Sequence, residues 1–160
     1  MTAWPETVER VAAVLRGAAV DASVQEFPEG TPTAEAAARA AGCEVDQIVK
    51  SIVFVADRSF VLALVPGDRR ADSDKVAAAI GAPAVRVARP EEVLTATGFE
   101  VGGVAPFPSR GIQSVLLDRT LLQHGRVWIG AGSPTHMAAL APSDLQRLSG
   151  ARTADLVSRR

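Results

Sequence analysis

The stretch Gln47-Ile48-Val49-Lys50-Ser51-Ile52-Val53-Phe54-Val55 is an apolar, β-branched run with one lysine set into its middle. A run of that composition predicts a strand buried on at least one face. An ammonium there costs free energy unless it is paired, solvated in a cleft, or used. The chain carries fifteen arginines and only two lysines, Lys50 and Lys75. Where a positive charge alone suffices, this sequence writes arginine. Lys50 is therefore a candidate functional group, with a lysine snorkelling at the strand's solvent edge as the alternative. A second apolar run, Phe60-Val61-Leu62-Ala63-Leu64-Val65, follows after only Asp57-Arg58-Ser59. Two such runs so close predict an antiparallel hairpin at the centre of the sheet.

On the N-terminal side, Pro5 is placed like a first-turn proline, and Val8, Val11, Leu15 and Ala18 recur at helical spacing over residues 5–19. Ser23-Val24-Gln25-Glu26-Phe27 alternates as a short strand. A turn-rich loop leads to Thr33, a cap for an alanine-rich helix over residues 34–41 that Gly42 stops. On the C-terminal side, Asp72 or Ser73 starts a helix stopped by Gly81, and Lys75 within it, beside Asp72 and Asp74, reads as a solvated surface charge. Residues 85–87 read as a short strand, and Pro90 opens a helix that Gly98 closes. Residues 114–118, 126–130 and 137–141 read as strands and residues 142–150 as a closing helix. Residues 151–160 read as a polar tail, helical and frayed or disordered at its end. The fold class is α/β in the mixed α+β sense. One compact domain over residues 1–160 is expected, with a mostly antiparallel mixed sheet of about six or seven strands surrounded by short helices.

With 160 residues, 48% of them hydrophobic and 22% charged, the chain can bury a core without disulfides or a structural metal. Cys43 is the only cysteine, which excludes an internal disulfide and a cysteine zinc cluster. His124 and His136 have no metal-ligand spacing, so neither a metal nor a cofactor is expected. No apolar run approaches a membrane span and no signal-peptide pattern opens the chain, so a cytoplasmic protein with no membrane partner is expected. A net charge of −1 gives no global attraction to nucleic acid; Arg69, Arg70, Arg86, Arg89 and Arg110 are candidate local contacts or ordinary solvated surface.

Three places depart from simple packing: Lys50 on its strand, the loop Gly102-Gly103-Val104-Ala105-Pro106-Phe107-Pro108, and the bend Gly130-Ala131-Gly132-Ser133-Pro134-Thr135-His136. Departures of this kind tend to mark functional sites. Bent backbones with free N–H groups bind a carbonyl or an oxyanion, and a nearby ammonium polarises or anchors it. Neither Ser51 nor Ser133 has an assignable base, which makes covalent catalysis the weaker chemistry. Water attack on an activated ester needs only the groups seen.

Thr33-Ala34-Glu35-Ala36-Ala37, the lysine strand, Val65-Pro66-Gly67-Asp68-Arg69-Arg70, Arg89-Pro90-Glu91-Glu92-Val93, Thr97-Gly98 with the Gly102 loop, and Gly130-Ala131-Gly132 stand in a set order along the chain. That ordered set resembles the YbaK/EbsC-like family, free-standing relatives of the editing domain of bacterial prolyl-tRNA synthetase, over about residues 31–148. The resemblance implies a trans-editing deacylase that hydrolyses the ester of a mischarged tRNA, first of all Cys-tRNA(Pro) or another small amino acid on tRNA(Pro). By the same resemblance Lys50 and Gly102 are the catalytic positions. Ser51, Gly103, Pro106, Gly132, Ser133 and His136 then form the substrate pocket. In cysteine-specific members the substrate's thiol is thought to assist. Expected partners are the 3′ aminoacyl-adenosine end of the tRNA and a recruiting prolyl-tRNA synthetase or elongation factor, with the chain a monomer or weak homodimer. The alternatives are a non-catalytic tRNA- or synthetase-binding regulatory domain of the same fold and a hydrolase of some other small acyl ester.

Overall fold

The computed structural model describes residues 4–159. Residues 1–3 and 160, the ends of the expected 1–160 domain and of its tail, lie outside the described residues. In chain order the elements are α1 (Glu6–Ala18), β1 (Ser23–Glu26), α2 (Ala34–Ala41), β2 (Val49–Ala56), β3 (Ser59–Pro66), α3 (Ser73–Ile80), β4 (Arg86–Val87) and α4 (Pro90–Thr97). They continue with β5 (Ser114–Asp118), β6 (Val127–Ser133), β7 (His136–Leu140), α5 (Pro142–Ser149) and β8 (Arg152–Ala154).

The two apolar runs form the expected hairpin, β2 against β3 from Val49↔Pro66 to Ala56↔Ser59. Asp57 in the turn takes a left-handed φ of 57°, which aspartate tolerates better than most residues. The hairpin is central: the strand order is β4-β2-β3-β5-β8, with β5 parallel to both β3 and β8. Both faces of this sheet are covered, which is why β2 and β3 read as near-continuous apolar runs. Val49, Val53, Leu62 and Leu64 pack toward α1, α4 and β6, whereas Phe54, Val61, Ala63 and Val65 pack toward Val76 of α3 and toward Leu156 and Val157. The helix caps follow the sequence signals: Thr33 Oγ1 accepts from Ala36 N–H at 3.0 Å, and Gly42, Gly81, Gly98 and Gly150 take left-handed C-caps.

The structure differs from the sequence reading in three respects. Among the described residues, eight strands form two sheets rather than one sheet of six or seven, the second being antiparallel with order β1-β7-β6. The sheets touch where Ile48 bridges Trp128, and β6 then turns away through a bulge between Gly130 and Ser133. Residues 151–159 are not a frayed helix. They add β8 to the large sheet and bury Leu156 and Val157. Lys75 is not merely solvated, since its Nζ binds Asp155 Oδ2 at 2.9 Å and donates to the Val157 carbonyl at 2.7 Å.

One edge matters for the site. Among the described residues, β4 pairs with β2 only at Phe54 and Val55, with a further bond from Ala88 N–H to the Val53 carbonyl, and β6 pairs on that side only through the bridge from Trp128 to Ile48, just before β2. Between them, residues 49–52 have no neighbouring strand on that side among the described residues. Strand alternation aims the N–H and C=O of Ser51, like those of Val53, at this gap.

Candidate active site

A cavity of about 460 Å³ lies against the open stretch of β2. Its other walls are the N-terminal turn of α2 with the loop before it, the β4–α4 junction at Ala88 and Val93, the loop at Val101–Val104, and the bend that carries Ser133 and His136. The three departures noted in the sequence therefore meet around one cavity: Lys50 and Ser51 from β2, Gly102 from the loop, Ser133 and His136 from the bend. The volume falls within the range of small-molecule sites. Apolar side chains dominate the walls, from Ala34, Ala37 and Ala88 to Ile48, Ile52, Val93 and Met137.

Gly103, Pro106 and Gly132 do not line the cavity; they stand behind its wall. A Cβ on Gly103 would lie 2.7 Å from Ser133 Cα, so the absent side chain lets loop and bend touch. Gly132, at φ +102°, passes so close to α1 that a Cβ would meet the Thr7 carbonyl oxygen at 2.5 Å. Pro106 is buried beside Ala105 and Phe107. The Gly103 N–H already donates to the Glu100 carbonyl at 3.0 Å. In this conformation it is engaged in a turn.

The Lys50 ammonium donates to the backbone carbonyl of Arg69 at 2.5 Å. Burial lowers its pKa below the ordinary 10.5, with Glu35 and Asp68 working against the shift and Arg70 with it. A carbonyl anchor takes one of the three ammonium donors and brings no charge of its own. Ser51 Oγ is buried without a hydrogen-bond partner in the same wall, a costly state for a hydroxyl unless something that enters the cavity completes it.

His136 is 4% exposed, and its Nδ1 lies 2.5 Å from Ser133 Oγ and 3.1 Å from Thr135 Oγ1. Thr135 N–H donates to Ser133 Oγ at 3.1 Å, and the Thr135 and Ser133 hydroxyls lie 3.1 Å apart, so the two hydroxyls and the imidazole form one connected group. The other ring nitrogen, Nε2, faces Glu26 Oε2 at 3.7 Å. Trp4 packs edge-on to the ring at 5.3 Å. Ser133 thus has an imidazole within hydrogen-bond distance, which its sequence neighbourhood alone had not assigned.

Glu26 and the Arg69 carbonyl were not signalled by the sequence, since one contact is made across paired strands and the other is made by backbone. Among the candidate arginine contacts, Arg86 is bidentate to Glu92 at 2.7 and 2.8 Å, Arg89 pairs with Glu91, and the Arg69 side chain donates to the Ser158 carbonyl. These three are committed within the protein; Arg70 and Arg110 are exposed. Cys43 is half-buried, with burial raising its thiol pKa, helped by Glu44 and Asp46. It lines no part of the cavity, as befits an inert thiol.

A family model described as an aminoacyl-tRNA editing domain matches residues 28–148. An uncharacterised protein of Bacillus subtilis, YwhH, is 35% identical over 127 residues, 79% of this chain and 80% of that one. A proline–tRNA ligase of Nitratidesulfovibrio vulgaris is 37% identical over 119 residues, 72% of this chain but only 21% of the ligase. The crystal structure of a proposed trans-editing enzyme for prolyl tRNA synthetase superposes with a TM-score of 0.90 at 39% identity, covering 98% of this chain and all of that one. The match to the family model spans all the walls of the cavity described above, and the chain belongs to the aminoacyl-tRNA editing domain family.

Proposed function

We propose that this chain is a trans-acting aminoacyl-tRNA deacylase that hydrolyses the ester between a small, wrongly attached amino acid and a tRNA, with Cys-tRNA(Pro) as first candidate. The observation that carries the reading is the convergence of a lysine ammonium anchored on a backbone carbonyl, an open strand edge and a glycine loop on one cavity. The Lys50 ammonium anchors the aminoacyl-adenosine end and offsets negative charge as the ester carbonyl becomes tetrahedral. The N–H and C=O of Ser51 orient the backbone of the amino acid at the strand edge, and Gly102 lets the loop close over it. Water adds to the carbonyl carbon, the bond to the ribose oxygen breaks, and a proton passes to that oxygen. The products are the free amino acid and the uncharged tRNA. An aminoacyl ester is already reactive, so placement of substrate and water supplies much of the rate.

Recognition of the tRNA body rests on few basic side chains, in keeping with recruitment through prolyl-tRNA synthetase or an elongation factor. The test is single-turnover deacylation of tRNA(Pro) charged separately with cysteine, alanine, serine and proline, with wild type beside folded Lys50→Ala. Release of one amino acid, lost on substitution, is the expected result. Binding of the charged tRNA without release of any of the four would sink the catalytic reading in favour of a binding domain.

A further inference from the structure

The Arg69 carbonyl that receives the Lys50 ammonium lies in the loop of residues 66–72, and that loop is paired from outside by residues 155–159. Asp72 N–H donates to the Leu156 carbonyl at 2.7 Å, Ala71 bridges Val157 antiparallel, and Ser158 N–H donates to the Arg70 carbonyl at 2.9 Å. The Arg69 side chain closes the ladder, its Nη2 donating to the Ser158 carbonyl at 2.5 Å. The outer strand is itself fixed. Leu156 and Val157 are buried, Leu156 N–H donates to Asp118 Oδ1 at 2.8 Å, and Lys75 ties down Asp155 and Val157. One residue, Arg69, thus holds the lysine with its backbone and the C-terminal segment with its side chain.

We infer that residues 155–159 are a positioning element for Lys50: by pinning the 66–72 loop they set where the Arg69 carbonyl sits, and so where the ammonium stands at the cavity. A lysine side chain has four rotatable methylenes and no preferred direction of its own. On an open strand edge it samples many rotamers unless an acceptor is presented at a fixed point. A free loop cannot present one; a loop paired along three residues can. The consequence for catalysis rests on the deacylase reading, but the placement of Lys50 does not.

Having only two lysines makes the test direct. The full chain and its Arg69→Ala, Ser158→Pro and Arg69→Lys variants are trace-acetylated across a pH series, and modification at Lys50 and Lys75 is read by mass spectrometry. Glu35, Asp68 and Arg70, the charged groups that act on Lys50, are the same in all four proteins. Acetylation of Lys50 is expected to rise about two- to tenfold in Arg69→Ala and Ser158→Pro, the scale set by one hydrogen bond. It should return part-way in Arg69→Lys, with Lys75 little changed in Arg69→Ala. On charged tRNA, the single-turnover rate constant should fall by a similar factor at little cost in affinity. Unchanged Lys50 acetylation and pH midpoint in folded Arg69→Ala and Ser158→Pro would overturn the inference. If wild type deacylates nothing, the acetylation result still decides the placement of Lys50, and only the proposed function fails.

Discussion

The two lysines of this chain make the same side chain do different work. Lys50, on β2, is half-buried and held by a neutral carbonyl; Lys75, on α3, is held by a carboxylate and a carbonyl together. The first arrangement fixes the ammonium at the cavity wall through a partner that carries no charge of its own. The second cancels the charge and turns the lysine into a fastener for the C-terminal segment. Burial alone does not separate the two, because both are partly exposed. The identity of the acceptor does.

The sharpest way to break this contrast is to truncate each lysine in turn. Lys50→Ala should cost about 100-fold or more in single-turnover deacylation, the scale of losing one charge-stabilising donor, with the fold retained. Lys75→Met should leave most of the rate but lower Tm by about 2–4 °C, measured by calorimetry. Equal losses of rate in the two would erase the distinction.

A second contrast concerns pH. Deacylation that depends on the Lys50 ammonium should fall as pH rises through the pKa of that group, which burial places below 10.5. Lys50→Arg should move that limb beyond the measurable range. Asp155 behaves in the opposite sense, its pKa lowered below 3.8 chiefly by the hydrogen bond from Lys75. A depressed carboxylate contributes stability that is present above its unfolded pKa and lost as pH falls through the folded one. Lys75→Met should therefore flatten the acid limb of Tm against pH below about 4, whereas Lys50→Ala should leave it unchanged.

The smallest effect is expected at Ser51. Its hydroxyl is buried without a partner, so Ser51→Ala should leave stability unchanged or raise it by about 1 kcal/mol in urea unfolding. Preference among cysteine, serine and alanine should shift by no more than about tenfold, as suits one polar contact in a small pocket. A loss as large as that of Lys50→Ala would mean that the serine, rather than the lysine, dominates the site.

Much of this was legible in the sequence where local chemistry decides the outcome. The hairpin follows from two apolar runs and a very short connection, the caps from Thr33, Asp72 and the terminal glycines, and Lys50 from its strangeness among β-branched neighbours. The division into two sheets was not legible, because the pairing of β1 with β7 in one sheet and of β3 with β5 in the other joins distant segments through backbone groups that every residue has. The C-terminal segment misled for a related reason. Its arginines and serine look like a solvated tail, while its ordering depends on Leu156, Val157 and a ladder of main-chain bonds. Gly103 and Gly132 looked like ligand contacts and instead let two backbones and a helix approach each other behind the cavity. His136 gave no sign of Glu26, which reaches it only because β1 pairs with β7.

The uncovered stretch of β2 has one more consequence. An exposed strand edge invites a strand from another molecule, and proteins usually blunt such edges with charge, proline or a bulge. Here the notch is closed at one end by Trp128 and at the other by Val87, leaving room for only a few residues, and it opens into a recess rather than onto a flat flank. A neighbouring polypeptide cannot lie along it, but the tip of a narrow ligand can. The shape of the recess thus shields this stretch of β2 from edge-to-edge pairing with another chain.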